Sequence, residues 1–331
     1  MSAGPTRKEF LIKSMLAASA IYPGLPQWVE KGRQDAVNNN RILPGQANDN
    51  AQGKICVFSK HLHWADYPEM AKIAAAIGFD GIDLTVRPEG HVLPEKVAED
   101  LPRAVDAVRK AGLDVYMLTT AINDPGHPHT EAILRTAGKL GIGYYRTGWF
   151  AYQDNMSIDK NLEKFKTTLD QLAVLNKKYN IHGAYQNHSG TNLGASLWDL
   201  WMVLKHSDPR WLGCQYDIRH ATVEGANAWP IGLKLLQSHI RTIDIKDFHW
   251  VKKEGKWQIE NVPLGEGMVD FKLYFELIRK YKIAGPISLH FEYPLGGAGA
   301  GSKTLTISKE EIMTAMRKDL TTLRTWLKQT V

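Results

Sequence analysis

The chain has 331 residues, 44% of them hydrophobic and 23% charged, an ordinary globular composition able to bury a large core. Its formal charge of +6 comes from scattered Lys and Arg, with no basic run interleaved with aromatics, so nothing marks a nucleic-acid-binding surface. The two cysteines, Cys56 and Cys214, lie in apolar strand-like runs without CxxC or Cys/His finger spacing, which argues against a structural zinc site and a catalytic thiol and does not imply a disulfide.

Residues 1–22 read as an export signal. Arg7-Lys8 opens it, an apolar stretch over 14–22 is too short to remain in a membrane, and Ala18-Ser19-Ala20 is a cleavage-like triplet. The basic pair is similar to a twin-arginine signal with Lys in second place, and the alternative is an amphipathic first helix. The expected location is the bacterial periplasm. Residues 23–53 are expected to form a flexible linker, since the stretch over 34–53 is polar, Asn-rich and unpatterned. No later stretch reaches transmembrane length, so no stable membrane insertion is expected once the signal is removed.

From Lys54 onward short β-branched or aromatic runs alternate with helical patterns. Strands are expected over 55–58, 81–84, 114–118, 144–147, 182–186, 212–216, 240–245 and 287–291. Strand-then-helix repetition requires a parallel sheet with right-handed crossovers, and eight units close a (β/α)8 TIM barrel over 54–331. Several helices carry their own punctuation. Asp66 precedes Pro68 and Glu69, with Gly78 closing that helix. Ser157 opens a helix whose face carries Leu162, Phe165, Leu169, Leu172 and Leu175, and Ser308 opens the last. A doubly wound open sheet would place a Gly-rich loop after the first strand, where Ser59-Lys60-His61-Leu62-His63-Trp64 stands instead. Gly265-Glu266-Gly267 reads as a turn before Asp270, a helix cap. The glycine-rich stretch 294–302 reads as a mobile lid over the mouth or a disordered spacer.

In a barrel the site lies at the C-terminal ends of the strands. Those ends carry His61 and His63, then Arg87 and His91, then Arg146. Later come Gln186-Asn187-His188, Asp217-Ile218-Arg219-His220, Asp244 with Lys246 and Asp247, and His290 with Glu292. Each alone has a structural explanation, but together they load one face with groups costly to bury unpaired. Asp244 and Lys246, like His290 and Glu292, are two apart, so each pair faces one way and forms two levels at the mouth.

These motifs resemble the xylose isomerase-like sugar isomerase/epimerase superfamily. The carriers are QNHSG at 186–190, YDIRHA at 216–221, DIKDF at 244–248 and SLHFEY at 288–293, with VPLGEGMVDF at 262–271. The resemblance implies a divalent metal, Mn, Zn or Mg, on four side chains from strands five to eight. Asp217 matches the pattern, and His220, Lys246 and Asp247 match its neighbouring residues. Gln186, Asp244 and His290 replace the expected Glu, His and Glu. All four remain metal-competent types. The resemblance further implies proton abstraction beside a sugar carbonyl through a metal-stabilised enolate, with Glu292 or His188 carrying the proton and Lys246 stabilising the oxyanion. His63, Arg87, Arg146 and His220 would bind the substrate, and Trp64, Trp149 and Trp250 either stack on a sugar or simply pack. The two-carboxylate epimerisation that the resemblance implies lacks its carboxylates here, since Gln186 and His290 stand at those positions and Gln186 cannot act as a base. The alternatives are a lyase or dehydratase acting on a keto-sugar or keto-glycoside, and a non-catalytic sugar-binding barrel. A DNA-repair endonuclease would need a richer metal-ligand set. The oligomeric state is not legible.

Overall fold

The computed structural model describes residue 51 and residues 53–329. The expected export signal (1–22), and the expected linker (23–53) except Ala51 and Gly53, lie outside the described residues. Ten strands follow in chain order: β1 (Ile55–Phe58), β2 (Gly81–Val86), β3 (Asp114–Thr120), β4 (Tyr144–Arg146), β5 (His182–Gln186), β6 (Leu212–Asp217), β7 (Ile240–Ile245), β8 (Asp247–Lys253), β9 (Lys256–Val262) and β10 (Ile287–Leu289). β8 and β9 pair antiparallel as a separate ribbon. The other eight are all parallel and close a barrel in the order β1-β2-β3-β4-β5-β6-β7-β10. The helices are α1 (Tyr67–Ile77), α2 (Val97–Lys110), α3 (Thr130–Lys139), α4 (Ile158–Tyr179), α5 (Leu197–Leu204), α6 (Ile218–Gly225), α7 (Trp229–Leu236), α8 (Phe271–Lys280) and α9 (Lys309–Gln329).

Alternation along the strands separates two environments. Ile55 and Val57 of β1, Ile82 and Leu84 of β2, and Ile243 and Ile245 of β7 join Leu101, Leu169, Leu233 and Leu320 of the helices in one apolar layer. The intervening Asp83, Gln215, Asp217 and Asp244 are buried and polar, and they face the interior. Cys56 and Cys214 are buried free thiols. The expected caps form. Asp66 accepts the Glu69 N–H at 2.9 Å, Asp270 accepts the Leu273 N–H at 2.9 Å, and Gly78 closes α1 at φ 107°. Ser308 and Glu311 cap α9 reciprocally, the Glu311 N–H reaching Ser308 Oγ at 3.2 Å and the Ser308 N–H reaching Glu311 Oε2 at 3.0 Å.

Three features depart from the sequence reading. The β8–β9 ribbon is additional, turning at Glu254 and Gly255, both in the left-handed region at φ 50° and 78°. The glycine-rich stretch, expected as a mobile lid or a disordered spacer, is packed against the barrel. Ala298 and Gly299 are buried, and the Ala298 carbonyl lies 3.1 Å from His61 Nδ1. Packing onto the barrel also reaches upstream of Lys54. Ala51 is buried with Met117 and Tyr144, and the Gly53 N–H donates to the Gly285 carbonyl at 3.0 Å. Among the described residues, no helix is long and apolar enough to cross a membrane.

Candidate active site

Strand register assembles the lower level of the barrel mouth. Gln186 lies beside Gln215, Asp217 beside Asp244, and Asp244 beside Ser288 on neighbouring strands. Register shifts precede Asp83 in β2 and Gln215 in β6, irregularities of the kind that re-aim side chains next to sites. Asp244 accepts from Gln215 Nε2 at 2.8 and 3.0 Å and lies 3.5 Å from His290 Nε2. On the upper level Lys246 Nζ stands 3.1 Å from Asp217 Oδ2 and 3.2 Å from Glu292 Oε2, and Lys60 Nζ reaches Glu292 Oε1 at 3.4 Å. Asp244 thus pairs with His290 and Lys246 with Glu292, as the two-residue spacing requires.

The four positions that the resemblance assigns to a metal do converge, but their bonding leaves little for an ion. Gln186 presents its carbonyl oxygen to Arg146 Nη1 at 2.9 Å. Its Nε2 donates to Asp217 Oδ2 at 3.0 Å and to Asp244 Oδ2 at 2.5 Å. Asp217 Oδ1 accepts the His220 N–H at 3.1 Å. Ser288 Oγ donates to Asp83 Oδ2 at 2.7 Å and so accepts from His290 Nε2 at 3.1 Å. His290 Nδ1 has no hydrogen-bond partner and lies 3.8 Å from Glu292 Oε1, whose carboxylate already meets two ammonium groups. Among the described residues no group of three or more His, Cys, Asp or Glu is arranged to hold a metal ion. As arranged, these residues do not fit a divalent ion. They form a hydrogen-bonded ion-pair network instead.

Electrostatics divides the labour among the titratable groups. Burial works against the Lys246 charge, but Asp217 and Glu292 outweigh it and raise the ammonium above its ordinary value. Burial would raise Glu292, yet Lys246, His290 and Lys60 hold its carboxyl well below the usual range. Both Glu292 oxygens also face an ammonium group, Oε1 that of Lys60 and Oε2 that of Lys246, so neither is free to take a proton. His188 is pushed down to about 4 by burial and then by Lys246, so it is neutral near pH 7. Its Nδ1 lies 2.8 Å from the Ser189 carbonyl and therefore carries the hydrogen, which leaves Nε2 with its lone pair and no protein partner among the described residues.

The expected substrate-binding residues fall into two groups. His63 and Arg87 line a cavity of about 590 Å³ with Lys60, Gly301 and Lys303. Arg146 and His220 are buried instead. The Arg146 guanidinium lies 4.6 Å from the Trp149 ring, and His220 sits behind His188 with ring centroids 3.8 Å apart. Of the tryptophans, Trp149 flanks His188 at 4.7 Å, Trp64 donates to the His61 carbonyl at 3.1 Å, and Trp250 is on the ribbon. Sequence reasoning missed Asp83, Gln215, Ser288 and Lys60. The first three lie within strand bodies, and a polar residue at every second strand position was the signal that marks them. Asp83, pushed up to about 6 chiefly by burial, also accepts Thr119 Oγ1 at 2.9 Å.

The sequence pattern of the xylose isomerase-like TIM barrels matches residues 71–315. The chain belongs to that family. No curated protein of similar sequence was found. Among solved structures, this xylose isomerase-like barrel is similar to a D-tagatose 3-epimerase-like protein, at TM-score 0.62 and 16% identity over 84% of this chain and 98% of that one. It is also similar to the 3-keto-D-glucoside 4-epimerase YcjR of E. coli, at TM-score 0.61 and 17% identity over 82% of this chain and 99% of that one. A probable 3-DHS dehydratase of Bacillus anthracis, AsbF, gives TM-score 0.60 and 15% identity over 81% of this chain and 98% of that one. At such identities the likeness is one of fold, and function has to be argued from the site.

Proposed function

We propose that this barrel is a sugar-modifying enzyme that removes a proton from the carbon beside a sugar carbonyl, an isomerase-type reaction. The observation that supports it is geometric: His188 Nδ1 is tied to the Ser189 carbonyl, which leaves Nε2 open, and Asp217 and Glu292 hold the Lys246 ammonium within electrostatic reach of that ring. His188 Nε2 takes the proton, and the Lys246 ammonium meets the negative charge that develops on the carbonyl oxygen. Lys246 stays protonated between Asp217 and Glu292, which suits it to hydrogen bonding and not to Schiff-base formation. Glu292 holds Lys246 in place, and His63 and Arg87 meet sugar hydroxyls or charged groups in the adjoining cavity.

The same features favour a second reading. Gln186 and His290, at the positions where the resemblance implies a carboxylate pair, are both tied into the network. One proton carrier suffices for elimination, in which the enolate expels a neighbouring oxygen, as a lyase or dehydratase on a keto-sugar or keto-glycoside would require. Incubation of keto-sugars and keto-glycosides in D2O, followed by NMR, tests both. Isomerisation keeps the oxygen count and introduces deuterium beside the carbonyl, whereas elimination gives an unsaturated product. His188→Gln is expected to slow either reaction by about 10²-fold or more with the fold intact. Tight binding of such sugars with no exchange and no product would instead identify a non-catalytic sugar-binding barrel.

A further inference from the structure

We propose that this barrel works without a divalent ion, that the Lys246 ammonium is its resident cation, and that Arg146, acting through Gln186, is the positioning residue that keeps an ion out. The inference concerns the same site but stands apart from the reaction above, because its test is read on the protein without substrate.

The key is the orientation of one amide. A glutamine can serve a metal only through its carbonyl oxygen. Here two independent neighbours dictate which way Gln186 faces. The Arg146 guanidinium can only donate, so the oxygen turns to it, at 2.9 Å. The Asp217 and Asp244 carboxylates can only accept, so the NH2 group turns to them. Turning the amide over to face an ion would set donor against donor at Arg146. Arg146 is buried, with its guanidinium against the Trp149 ring, and its Nη1 is therefore held on the oxygen.

Charge leads to the same result. Asp217, Asp244, Glu292 and, through Ser288, Asp83 are the carboxylates of the cluster, and Lys246, Lys60 and Arg146 stand against them on the same network, with His290 beside Asp244. The positive charge that a dication would bring is already present as protein side chains. Lys246 bridges Asp217 and Glu292, carboxylates from two different strand ends, as a shared ion would. Asp244 has its oxygens occupied by the Gln215 amide as well, at 2.8 and 3.0 Å. An ion entering this cluster would have to displace these donors and sit beside an ammonium.

Two measurements on the intact protein decide the matter. Elemental analysis of the purified chain, and titration with Mn2+ followed by the loss of the free-ion EPR signal, are expected to show no stoichiometric binding to the wild type. One equivalent of Mn2+ retained through dialysis would overturn the proposal. Arg146→Gln lets Gln186 turn its oxygen inward, and Lys246→Met removes the resident cation. Each is expected to raise Mn2+ affinity at least tenfold over the wild type. A merely structural role for either residue would lower Tm without raising that affinity. If one variant fails to fold by circular dichroism, the other decides. Folded variants that bind Mn2+ no better than the wild type would overturn the roles given to Arg146 and Lys246.

Discussion

Asp247 follows Lys246 directly, and its carboxylate receives the backbone N–H groups of Phe248, Gly265, Gly267 and Val269 at 2.9 to 3.3 Å. The residue is buried together with Phe248 and Val269, so those two donors have no water to turn to. Asp247→Ala is expected to cost about 3 kcal/mol or more, read as a lowered urea midpoint, because hydrogen bonds to a charged acceptor contribute about 1.5–3 kcal/mol each. Asp319 of α9 is an opposite case. It is buried, and burial, more than any other cause, pushes its carboxyl up to about 7. A raised carboxyl contributes stability below its unfolded pKa, about 3.9, and that contribution is lost as pH rises through the folded value. Asp319→Asn should therefore gain on the wild type in Tm between about pH 5 and about pH 8. A constant difference between the two proteins across that range would show that the carboxyl is not raised.

At the scale of elements, the glycine-rich stretch after β10 is held by contacts that only glycine permits. A Cβ on Gly299 would stand 2.2 Å from the Tyr293 carbonyl oxygen and 3.0 Å from that of Phe291. Both are backbone atoms that cannot swing aside, so Gly299→Ala is expected to cost about 1–3 kcal/mol and to displace the stretch from His61. Thermal unfolding of the variant beside Asp66→Ala, expected to cost about 1 kcal/mol as a lost cap, gives the comparison. Much of this level was legible in the sequence. The eight barrel strands stood out because β-rich runs recur between capped helices, and Asp66, Ser157, Asp270 and Ser308 all cap where their spacing places them. The ribbon was not, since Lys252, Lys253, Glu254 and Lys256 dilute its alternation and only Gly255 hinted at the turn. Which residues meet at the mouth could be read from strand ends. How they meet could not, because the direction of the Gln186 amide is set by Arg146, from a different strand.

For the whole molecule, acid is the expected weakness. Burial pushes His182 down to about 3 and His91 down to about 4, and it drives His61 and His220 well below the ordinary histidine range. Groups lowered in the folded state contribute stability above the unfolded pKa, about 6.5, and that contribution is lost as pH falls toward the folded values. His182 alone should account for on the order of 2 kcal/mol by about pH 5. Asp83, Asp199, Asp217, Asp247 and Asp319, raised chiefly by burial, and the raised His290 act in the opposite sense. But His63, His188 and His239 are lowered as well, and the lowered histidines lose their contribution directly below about pH 6.5. Tm is thus expected to fall between about pH 7 and about pH 5, and a flat or rising profile would mean that the buried imidazoles accept protons in place.

Ala51 gives the barrel an unusual stopper. It comes from upstream of the first strand, yet it is fully buried against Met117 and Tyr144, while Gly53 is pinned to the residue before Pro286. A chain shortened to begin at Lys54 would retain every strand and every residue of the mouth and still uncork the opposite end. Water would then reach Met117 and Tyr144 from below, so Ala51 and Gly53 contribute to the stability of the barrel.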